Sequence, residues 1–254
     1  MHRRFKPKPL SEQTIVISGA ANGIGSAVAH LVAQKGSNIV LASSKDKSLE
    51  LMKRDLLLQG CNILVVETDE SFQKLSEEAI VEFGLIDTWI NCGYFYQEEQ
   101  LLHGDLSLER KIFEINFWDY RVACMTAVQA MKKSGGVIIN LGGEIHQPSQ
   151  PLSGIYSASK SSLRTFTDAL RTEIRHENLP IELCLVRPGR LIDESAFAPI
   201  AETILKCCEF PRRDYFVGGP ARLAAVLDTF FPNINDMMIE SRLKELEKEN
   251  FRRF

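Results

Sequence analysis

A tyrosine and a lysine four residues apart, Tyr156 and Lys160, form the pair of side chains with the clearest capacity for chemistry. Residues at this spacing share one face of a helix, so the lysine ammonium would stand beside the tyrosine phenol. A free tyrosine has a pKa of about 10, and a neighbouring positive charge lowers that pKa because it favours the phenolate. The pair could therefore exchange a proton with an alcohol or a carbonyl near neutral pH. Taken alone, the same spacing is also typical of an ordinary helix surface.

A glycine-rich segment near the start of the chain has the pattern of a phosphate-binding turn. It reads SGAANGIG from position 18 to 25, between an apolar strand-like run and a helix-like run. Glycines let the backbone turn tightly and let a pyrophosphate approach, and the following helix N-terminus presents unpaired N–H groups. An ordinary tight turn is the alternative, but the position between strand and helix favours nucleotide binding. The candidate cofactor contacts in this turn are Gly19, Asn22, Gly23, Ile24 and Gly25.

The end of the second predicted strand is the usual place to distinguish NAD from NADP. An acidic residue there binds the ribose 2′-hydroxyl, whereas basic or hydroxyl residues accommodate a 2′-phosphate. This segment carries Ser43, Ser44 and Lys45, with no carboxylate from position 42 to 44. We therefore expect NADP(H) to be preferred and NAD(H) to remain possible, because Asp46 follows directly and would restore an acidic contact. The alternative for Lys45 is a solvated lysine in the first turn of a helix.

The elements that must position these residues alternate between strand-like and helix-like runs. Near-continuous apolar runs such as TIVIS, NIVLA and GVIINL are typical of strands covered on both faces, and hence of a parallel sheet. The predicted strands are Thr14–Ser18, Asn38–Ser43, Asn62–Glu67, Thr88–Asn91, Gly136–Leu141, Ile181–Val186 and Tyr215–Val217. The predicted helices include Gly23–Lys35, Leu49–Gln59, Ser71–Phe83, about Ser107–Lys132 and about Ser157–Asn178. This alternation predicts an α/β, three-layer Rossmann fold with a doubly wound, seven-stranded parallel sheet.

The chain of 254 residues shows no linker that would divide it, so we expect one domain. We divide it into a solvated N-terminal leader at 1–12, a core at 13–219 and a helical tail at 220–254. The tail carries an apolar stripe of methionine, isoleucine and leucine side chains. That stripe would pack either on its own domain or on another subunit.

Composition excludes several classes of function. With 30 basic and 33 acidic residues, the chain lacks the basic excess of a nucleic-acid binder. Its apolar runs fall far short of the roughly 20 residues that span a bilayer, and the basic start is not followed by the apolar segment of a secretory signal. The six cysteines form no C-x-x-C pair, which indicates reduced thiols in a cytoplasmic protein. We predict no metal site.

In this order and spacing, the motifs resemble those of the short-chain dehydrogenase/reductase family, in its short single-domain branch. The resemblance covers roughly residues 10–220. SGAANGIG looks like the family's TGxxxGIG turn, and INCG at 90–93 looks like its NNAG motif. The resemblance also implies an adenine contact after the third strand and a Pro-Gly turn beside the nicotinamide. The cofactor-binding residues that it adds are Asp69, Glu70, Asn91, Cys92, Gly93, Pro188 and Gly189.

The same resemblance assigns the catalytic residues. Tyr156 and Lys160 match the family's YxxxK motif, and Asn116 within INFW looks like its catalytic asparagine. It implies hydride transfer between a nicotinamide and a small-molecule carbonyl or secondary alcohol, with Tyr156 exchanging the proton. Lys160 would also bind the nicotinamide ribose, and Asn116 would hold a water in a proton relay. The family is commonly dimeric or tetrameric through its two long helices, so we expect a homodimer or homotetramer.

One departure from the family pattern concerns the active site. The family places a serine thirteen residues before the tyrosine, and here that position is Gly143. The missing hydroxyl normally binds the reacting oxygen, and loss of one such donor costs on the order of 10²–10³ in rate. Ser149 or Ser153 could replace it, or a backbone N–H of the Gly142–Gly143 pair or a water could do so. The alternative is a nucleotide-binding pseudoenzyme or regulatory subunit.

The segment after the Pro-Gly turn is short for this family, in which it usually folds over the substrate. We expect the next helix to begin near Pro199, which predicts an open site suited to a bulky substrate or to none. Aromatic side chains could line that site or belong to the core. They are Tyr94, Phe95, Tyr96 and Phe197.

Overall fold

The structure is a computed structural model that describes residues 5–21, 23–43, 47–67, 71–143, 152–188 and 194–218. Several predicted features lie outside these ranges. Among the candidate cofactor-binding residues they are Asn22, Ser44, Lys45, Asp69, Glu70 and Gly189. The predicted tail at 220–254 and Ser149 also lie outside the described residues.

A single parallel sheet forms the centre of the described structure. Its strands are β1 (Thr14–Ser18), β2 (Asn38–Ser43), β3 (Ile63–Glu67), β4 (Thr88–Asn91), β5 (Gly136–Leu141), β6 (Ile181–Pro188) and β7 (Asp214–Val217). The seven strands of the described ranges are ordered β3-β2-β1-β4-β5-β6-β7, and each neighbouring pair is parallel. The predicted seven-stranded, doubly wound fold is therefore confirmed. Strand β6 continues two residues beyond its predicted end, to Pro188.

Helices cover both faces of this sheet. They are α1 (Gly23–Ala33), α2 (Lys47–Leu58), α3 (Phe72–Phe83), α4 (Leu106–Phe113), α5 (Asp119–Met131), α6 (Gly154–His176) and α7 (Phe197–Glu209). Side chains of α1, α2 and α7 pack on one face, and those of α3, α5 and α6 pack on the other. The strands feed both clusters because alternate residues point to opposite faces, as Ile15 and Val16 of β1 do.

The predicted long helix at 107–132 is not one regular helix. Helices α4 and α5 are joined by a π-helical turn at Glu114–Trp118. A π turn contains one residue more than an α turn, and such turns are frequent at functional sites. This turn contains Asn116, whose side chain is fully buried. The apolar periodicity on either side of the turn does not reveal the extra residue.

Residues 5–12, which belong to the predicted leader, are mostly exposed but are held to the domain at several points. The ring of Phe5 lies against the backbone of Gly135, and Leu10 is buried in the core. The Lys8 ammonium lies 2.8 Å from the Asp87 carboxylate, whose second oxygen accepts a hydrogen bond from the N–H of Thr14. The apolar side chains of this basic segment hold it against the amino ends of the strands.

The carboxyl ends of the strands form the edge at which a site can be built. The strand order reverses at β1, which pairs with β2 on one side and with β4 on the other. In open α/β sheets, ligands bind outside the carboxyl ends of the strands at this reversal. The N–H of Gly19 donates to Ala42 at 2.8 Å, and the N–H of Cys92 donates to Ser18 at 2.9 Å. These bonds continue the sheet into the glycine turn and into the motif after β4.

Candidate active site

The glycine turn after β1 is built by close approach of backbone to backbone. Gly19 has a φ of +76°, and a Cβ atom there would lie 2.4 Å from the backbone nitrogen of Gly93. A Cβ atom on Gly25 would lie 2.2 Å from the carbonyl oxygen of Gly19. Both contacts require glycine, because a side chain at either position would displace a backbone. The turn, the start of α1 and the loop after β4 therefore form one tightly packed unit.

Phe197 covers part of this unit. A Cβ atom on Gly23 would lie 2.2 Å from Cε2 of the Phe197 ring. The phenylalanine begins α7, which packs along α1. This aromatic side chain thus lies against the phosphate-binding turn. Ile24, by contrast, is fully buried in the core, so its backbone N–H is the part of it that faces the turn.

The side chains of the INCG motif point into the core. The Asn91 amide accepts a hydrogen bond from Trp89 at 2.9 Å and donates one to Asn140 at 2.8 Å. Asn140 in turn donates to the Thr167 hydroxyl at 3.0 Å. Cys92 is buried as well, and burial raises the pKa of its thiol to about 12. At the edge of the sheet, the motif therefore contributes its backbone and Gly93 to the site, and not the side chains of Asn91 and Cys92.

Lys160 is almost completely buried at the carboxyl end of β5. Its ammonium lies 3.2 Å from the carbonyl oxygen of Leu141 and 3.5 Å from the hydroxyl oxygen of Tyr120. It also lies 4.6 Å from the centre of the Tyr120 ring. Burial lowers the pKa of Lys160 to about 7, because removal from water disfavours the charged form. A lysine with this pKa changes its charge near neutral pH.

Tyr156 lies one turn before Lys160 on α6 and is half-buried. The ring of Tyr96 meets it edge to face, with ring centres 5.1 Å apart. Tyr96 itself is 45% exposed, so the aromatic pair stands at the surface of the site. Tyr156 and Lys160 therefore share one face of α6, with the lysine buried and the tyrosine half-buried.

Asn116 joins three segments of the site. Its amide oxygen accepts from the N–H of Phe95, and its amide nitrogen donates to the carbonyl oxygen of Phe95, both at 2.9 Å. The same nitrogen donates to the hydroxyl of Ser159 at 3.2 Å, and that hydroxyl donates to the carbonyl oxygen of Tyr156 at 2.7 Å. Both amide hydrogens are engaged, so a water at this residue would have to donate to one of its oxygens.

Gly143, which the sequence pattern predicts to stand at the family's serine position, is buried just after β5. A Cβ atom there would lie 3.0 Å from both Cβ and Cγ of Lys160. A side chain at this position therefore presses on the stem of the lysine. Of the two serines considered as substitutes, Ser153 precedes α6 and is half-buried.

Sequence reasoning missed two residues of this region. Tyr120 was not a candidate, although it follows Asn116 by four residues on the same helical segment. Asn140 is the polar residue inside the apolar run GVIINL, and that interruption was the available signal. The contacts of Tyr120 with Lys160 and of Asn140 with Thr167 are not visible from local spacing, because each joins segments far apart in the chain.

Neither a cluster of metal-ligating side chains nor a candidate membrane span occurs in the described residues. In the described ranges, no group of three or more histidine, cysteine or acidic side chains could hold a metal ion. None of the helices described is long and apolar enough to cross a membrane.

The reversing parallel sheet, the glycine turn before α1 and the tyrosine–lysine pair on α6 define a Rossmann-fold, NAD(P)-dependent dehydrogenase that acts on CH–OH groups. The chain belongs to the short chain dehydrogenase family, whose model matches residues 13–197.

Relatives and solved structures agree with this assignment. The uncharacterized oxidoreductase YxnA of Bacillus subtilis (strain 168) is 28% identical over 263 residues, covering 93% of this chain and 74% of that protein. A hydroxysteroid 11-beta-dehydrogenase 1-like protein of Xenopus tropicalis is 27% identical over 205 residues, covering 79% and 72% respectively. A short chain dehydrogenase/reductase from Burkholderia phymatum, solved in complex with NAD, has a similar fold. Its TM-score is 0.77 at 20% identity, covering 86% of this chain and 93% of that one.

Proposed function

We propose that this chain is an NADP(H)-preferring oxidoreductase that transfers a hydride between a nicotinamide and a carbonyl or secondary alcohol, with an active site that lacks the usual serine. The observation that carries the proposal is the buried Lys160 ammonium on the helix face of Tyr156, at the carboxyl edge of the sheet. Burial of a lysine is costly, and perturbed ionisable groups in such a place are typical of active sites.

The described part of the turn fits a dinucleotide. Helix α1 begins at Gly23, at the reversal of the strand order, where the positive end of its dipole favours a phosphate. Gly19 and Gly93 place no side chain over this helix end, and the side chain that lies against it is the Phe197 ring at Gly23. The pyrophosphate would bind there, and Lys160 and the Pro188–Gly189 turn would contact the nicotinamide ribose and ring. When bound, the cofactor supplies or accepts the hydride at its nicotinamide.

The preference for NADP(H) rests on residues at the end of β2. Ser43 is half-buried and ends that strand, and Ser44 and Lys45 follow it in the sequence. Hydroxyl groups and a cation would hold a 2′-phosphate, whereas the ribose 2′-hydroxyl of NAD favours a carboxylate. Asp69 and Glu70 would contact the adenine side. The proposal allows NAD(H) as the less preferred cofactor at the same site.

The proton in this mechanism moves through Tyr156. In the oxidation of an alcohol, its phenolate takes the hydroxyl proton; in the reduction of a carbonyl, its phenol returns it. The charged form of Lys160 favours the phenolate and lowers the pKa of the tyrosine. Asn116 holds the loop at Phe95 and the backbone of Tyr156 through Ser159, which keeps the phenol at the mouth of the site.

A second candidate function, a nucleotide-binding pseudoenzyme or regulatory subunit, is favoured by Gly143. The position has no hydroxyl for the reacting oxygen, and the stem of Lys160 fills the space next to it. A chain that kept only cofactor binding would retain the glycine turn and need no such hydroxyl.

Two measurements distinguish the candidates. The first is a paired fluorescence titration with NADPH and NADH, in which we expect NADPH to bind more tightly. The second is turnover of a panel of carbonyl substrates by wild type and Tyr156→Phe. We expect the variant to lose at least about 10²-fold in rate while its cofactor affinity stays unchanged. Tyr215→Phe serves as the matched control, because Tyr215 lies on β7. Binding without turnover would favour the pseudoenzyme, and binding of neither cofactor would overturn both.

We also propose a cytoplasmic homodimer or homotetramer. The six cysteines, all of which lie in the described residues, form no disulfide, in keeping with a reducing compartment. Exposed apolar side chains at the end of the π turn and along α5 support self-association; they are Trp118, Val122 and Met125. Light scattering after size exclusion would test this, and Trp118→Glu should shift the mass towards the monomer.

A further inference from the structure

Tyr120 is a large aromatic side chain buried inside the candidate site without a role in the proposed mechanism. It lies on α5, is 2% exposed, and directs its hydroxyl to the carboxyl ends of β4 and β5. There it lies 2.7 Å from the carbonyl oxygen of Gly93 and 3.2 Å from that of Leu141. A phenylalanine would fill the same volume, so the hydroxyl itself needs an explanation.

The hydrogen bonds around this hydroxyl have one consistent arrangement. Tyr120 has a single hydroxyl hydrogen, and the shorter distance assigns it to Gly93. The Leu141 carbonyl then accepts from the Lys160 ammonium at 3.2 Å, and the lone pairs of the Tyr120 oxygen face the same ammonium at 3.5 Å. Burial raises the pKa of Tyr120 well above 10, so the hydroxyl keeps the hydrogen that this arrangement needs.

The ring of Tyr120 acts on the same cation. The Lys160 nitrogen lies 4.6 Å from the ring centre, within the range at which an aromatic face attracts an ammonium. The Cys92 thiol also interacts electrostatically with this cation but keeps its proton near neutral pH, because burial raises its pKa to about 12. The ring, the hydroxyl and the Leu141 carbonyl contact the cation, which has almost no access to water. Each of them favours the charged lysine against the cost of burial.

We propose that Tyr120 is a positioning residue that holds the Lys160 ammonium beside Tyr156 and keeps it charged, by accepting one of its hydrogen bonds and by presenting its ring to it. The residue acts through Lys160 and does not touch the substrate. The proposal rests on the proposed function for its catalytic consequence, but the contact between Tyr120 and Lys160 can be tested in the protein without cofactor.

The test compares Tyr120→Phe, which keeps the ring, with Tyr120→Leu, which removes it as well. Thr167→Val is the matched control, because it deletes a buried hydroxyl that bonds Asn140 and does not contact Lys160. The readout is a pH titration of cofactor-free protein labelled with ¹³C at lysine Cε. The Lys160 signal is the one that the Lys160→Met variant lacks, and melting temperatures report folding.

We expect the Lys160 midpoint to fall in Tyr120→Phe and to fall further in Tyr120→Leu, by roughly one pH unit when ring and hydroxyl are both lost. Thr167→Val should leave the midpoint unchanged while it lowers the melting temperature. An unchanged midpoint in folded Tyr120→Phe would overturn the role of the hydroxyl, and an unchanged midpoint in both variants would overturn the proposal. If Tyr120→Leu fails to fold, Tyr120→Phe still decides the matter.

Turnover provides the second readout. In the active enzyme, the pH dependence of kcat should shift in Tyr120→Phe in the same direction as the lysine midpoint, with little change in KM for the cofactor. If wild type shows the lysine titration but no turnover with any substrate, the proposed function fails while the positioning contact stands. If turnover is present and its pH profile does not move with the lysine midpoint, the catalytic role of Tyr120 fails.

Discussion

The two halves of the candidate site are built in opposite ways. In the phosphate-binding half, Gly19 and Gly25 work by having no side chain, because backbone atoms lie where a Cβ would stand. In the catalytic half, Asn116, Tyr120 and Lys160 work through polar side chains that are almost completely buried. A half built from backbone tolerates no added atom, whereas a half built from buried polar groups tolerates no lost partner.

The largest effect should come from adding one carbon atom to the glycine half. Gly19→Ala combines a φ of +76° with a Cβ only 2.4 Å from the Gly93 nitrogen, so we expect loss of dinucleotide binding and a large drop in stability. Gly36→Ala is the matched control, since Gly36 has a φ of +77° and nothing within 4 Å. It should cost about 1–2 kcal/mol and leave binding intact. Equal losses in the two variants, measured by denaturation and fluorescence titration, would contradict the packing argument.

Removing the charge from the catalytic half should have the opposite effect on stability. The pKa of Lys160 is about 7 in the folded protein and 10.5 without burial, so the unfolded chain binds more protons between these values and stability rises with pH there. Lys160→Met should therefore abolish turnover yet raise the free energy of unfolding by roughly a few kcal/mol at neutral pH. The Leu141 carbonyl loses its Lys160 donor in this variant, which offsets part of the gain.

Urea denaturation between pH 6 and pH 11 would check this sign. The gain in stability of Lys160→Met over wild type should be largest at pH 7 and below, and it should shrink as the pH rises towards 10.5. A difference that is constant with pH would mean that folding does not lower the pKa of Lys160.

Gly143 belongs to both sides of this comparison, because it is a glycine that lies in the catalytic half, against the Lys160 side chain. Gly143→Ser restores a hydroxyl but places a Cβ 3.0 Å from the Lys160 stem, and Gly143→Ala adds the same crowding without the hydroxyl. We expect the serine variant to turn over faster than the wild type, and faster than the alanine variant by up to about 10²-fold. Rates that are equal in the two variants would show that another donor already binds the reacting oxygen.

The smallest effect on function should come from a motif residue that belongs to the core. Asn91→Ala removes bonds to Trp89 and Asn140, so we expect it to cost about 1–3 kcal/mol of stability without weakening cofactor binding by the folded protein. Asn62→Ala, which removes an exposed amide contact to Asn38, is the control and should change stability by less than about 0.5 kcal/mol. Weaker cofactor binding by folded Asn91→Ala would show that the Asn91 side chain takes part in cofactor binding.

The same contrast explains what the sequence could predict. The strands and the glycine turn were predictable, because apolar runs and glycine spacing are local signals that the parallel sheet and the positive φ of Gly19 satisfy. Tyr120, Asn140 and the π turn at Glu114–Trp118 were not, because their positions depend on contacts between distant segments. The candidates at Ser44, Lys45 and Asp69 stay predictions.

The π turn makes one stretch of the chain intolerant of changes in length. Deleting Phe117 or Trp118 would remove the extra residue of the π turn and change the angle at which the side chains of Asn116 and Tyr120 leave the helix, since each residue of an α-helix turns the chain by about 100°. Asn116 and Tyr120 would then not both keep their contacts, which for Asn116 are with Phe95 and for Tyr120 with Lys160. A natural or engineered insertion in the surface loops can be absorbed locally, but a single-codon deletion here would dismantle the catalytic half without changing any of its residues.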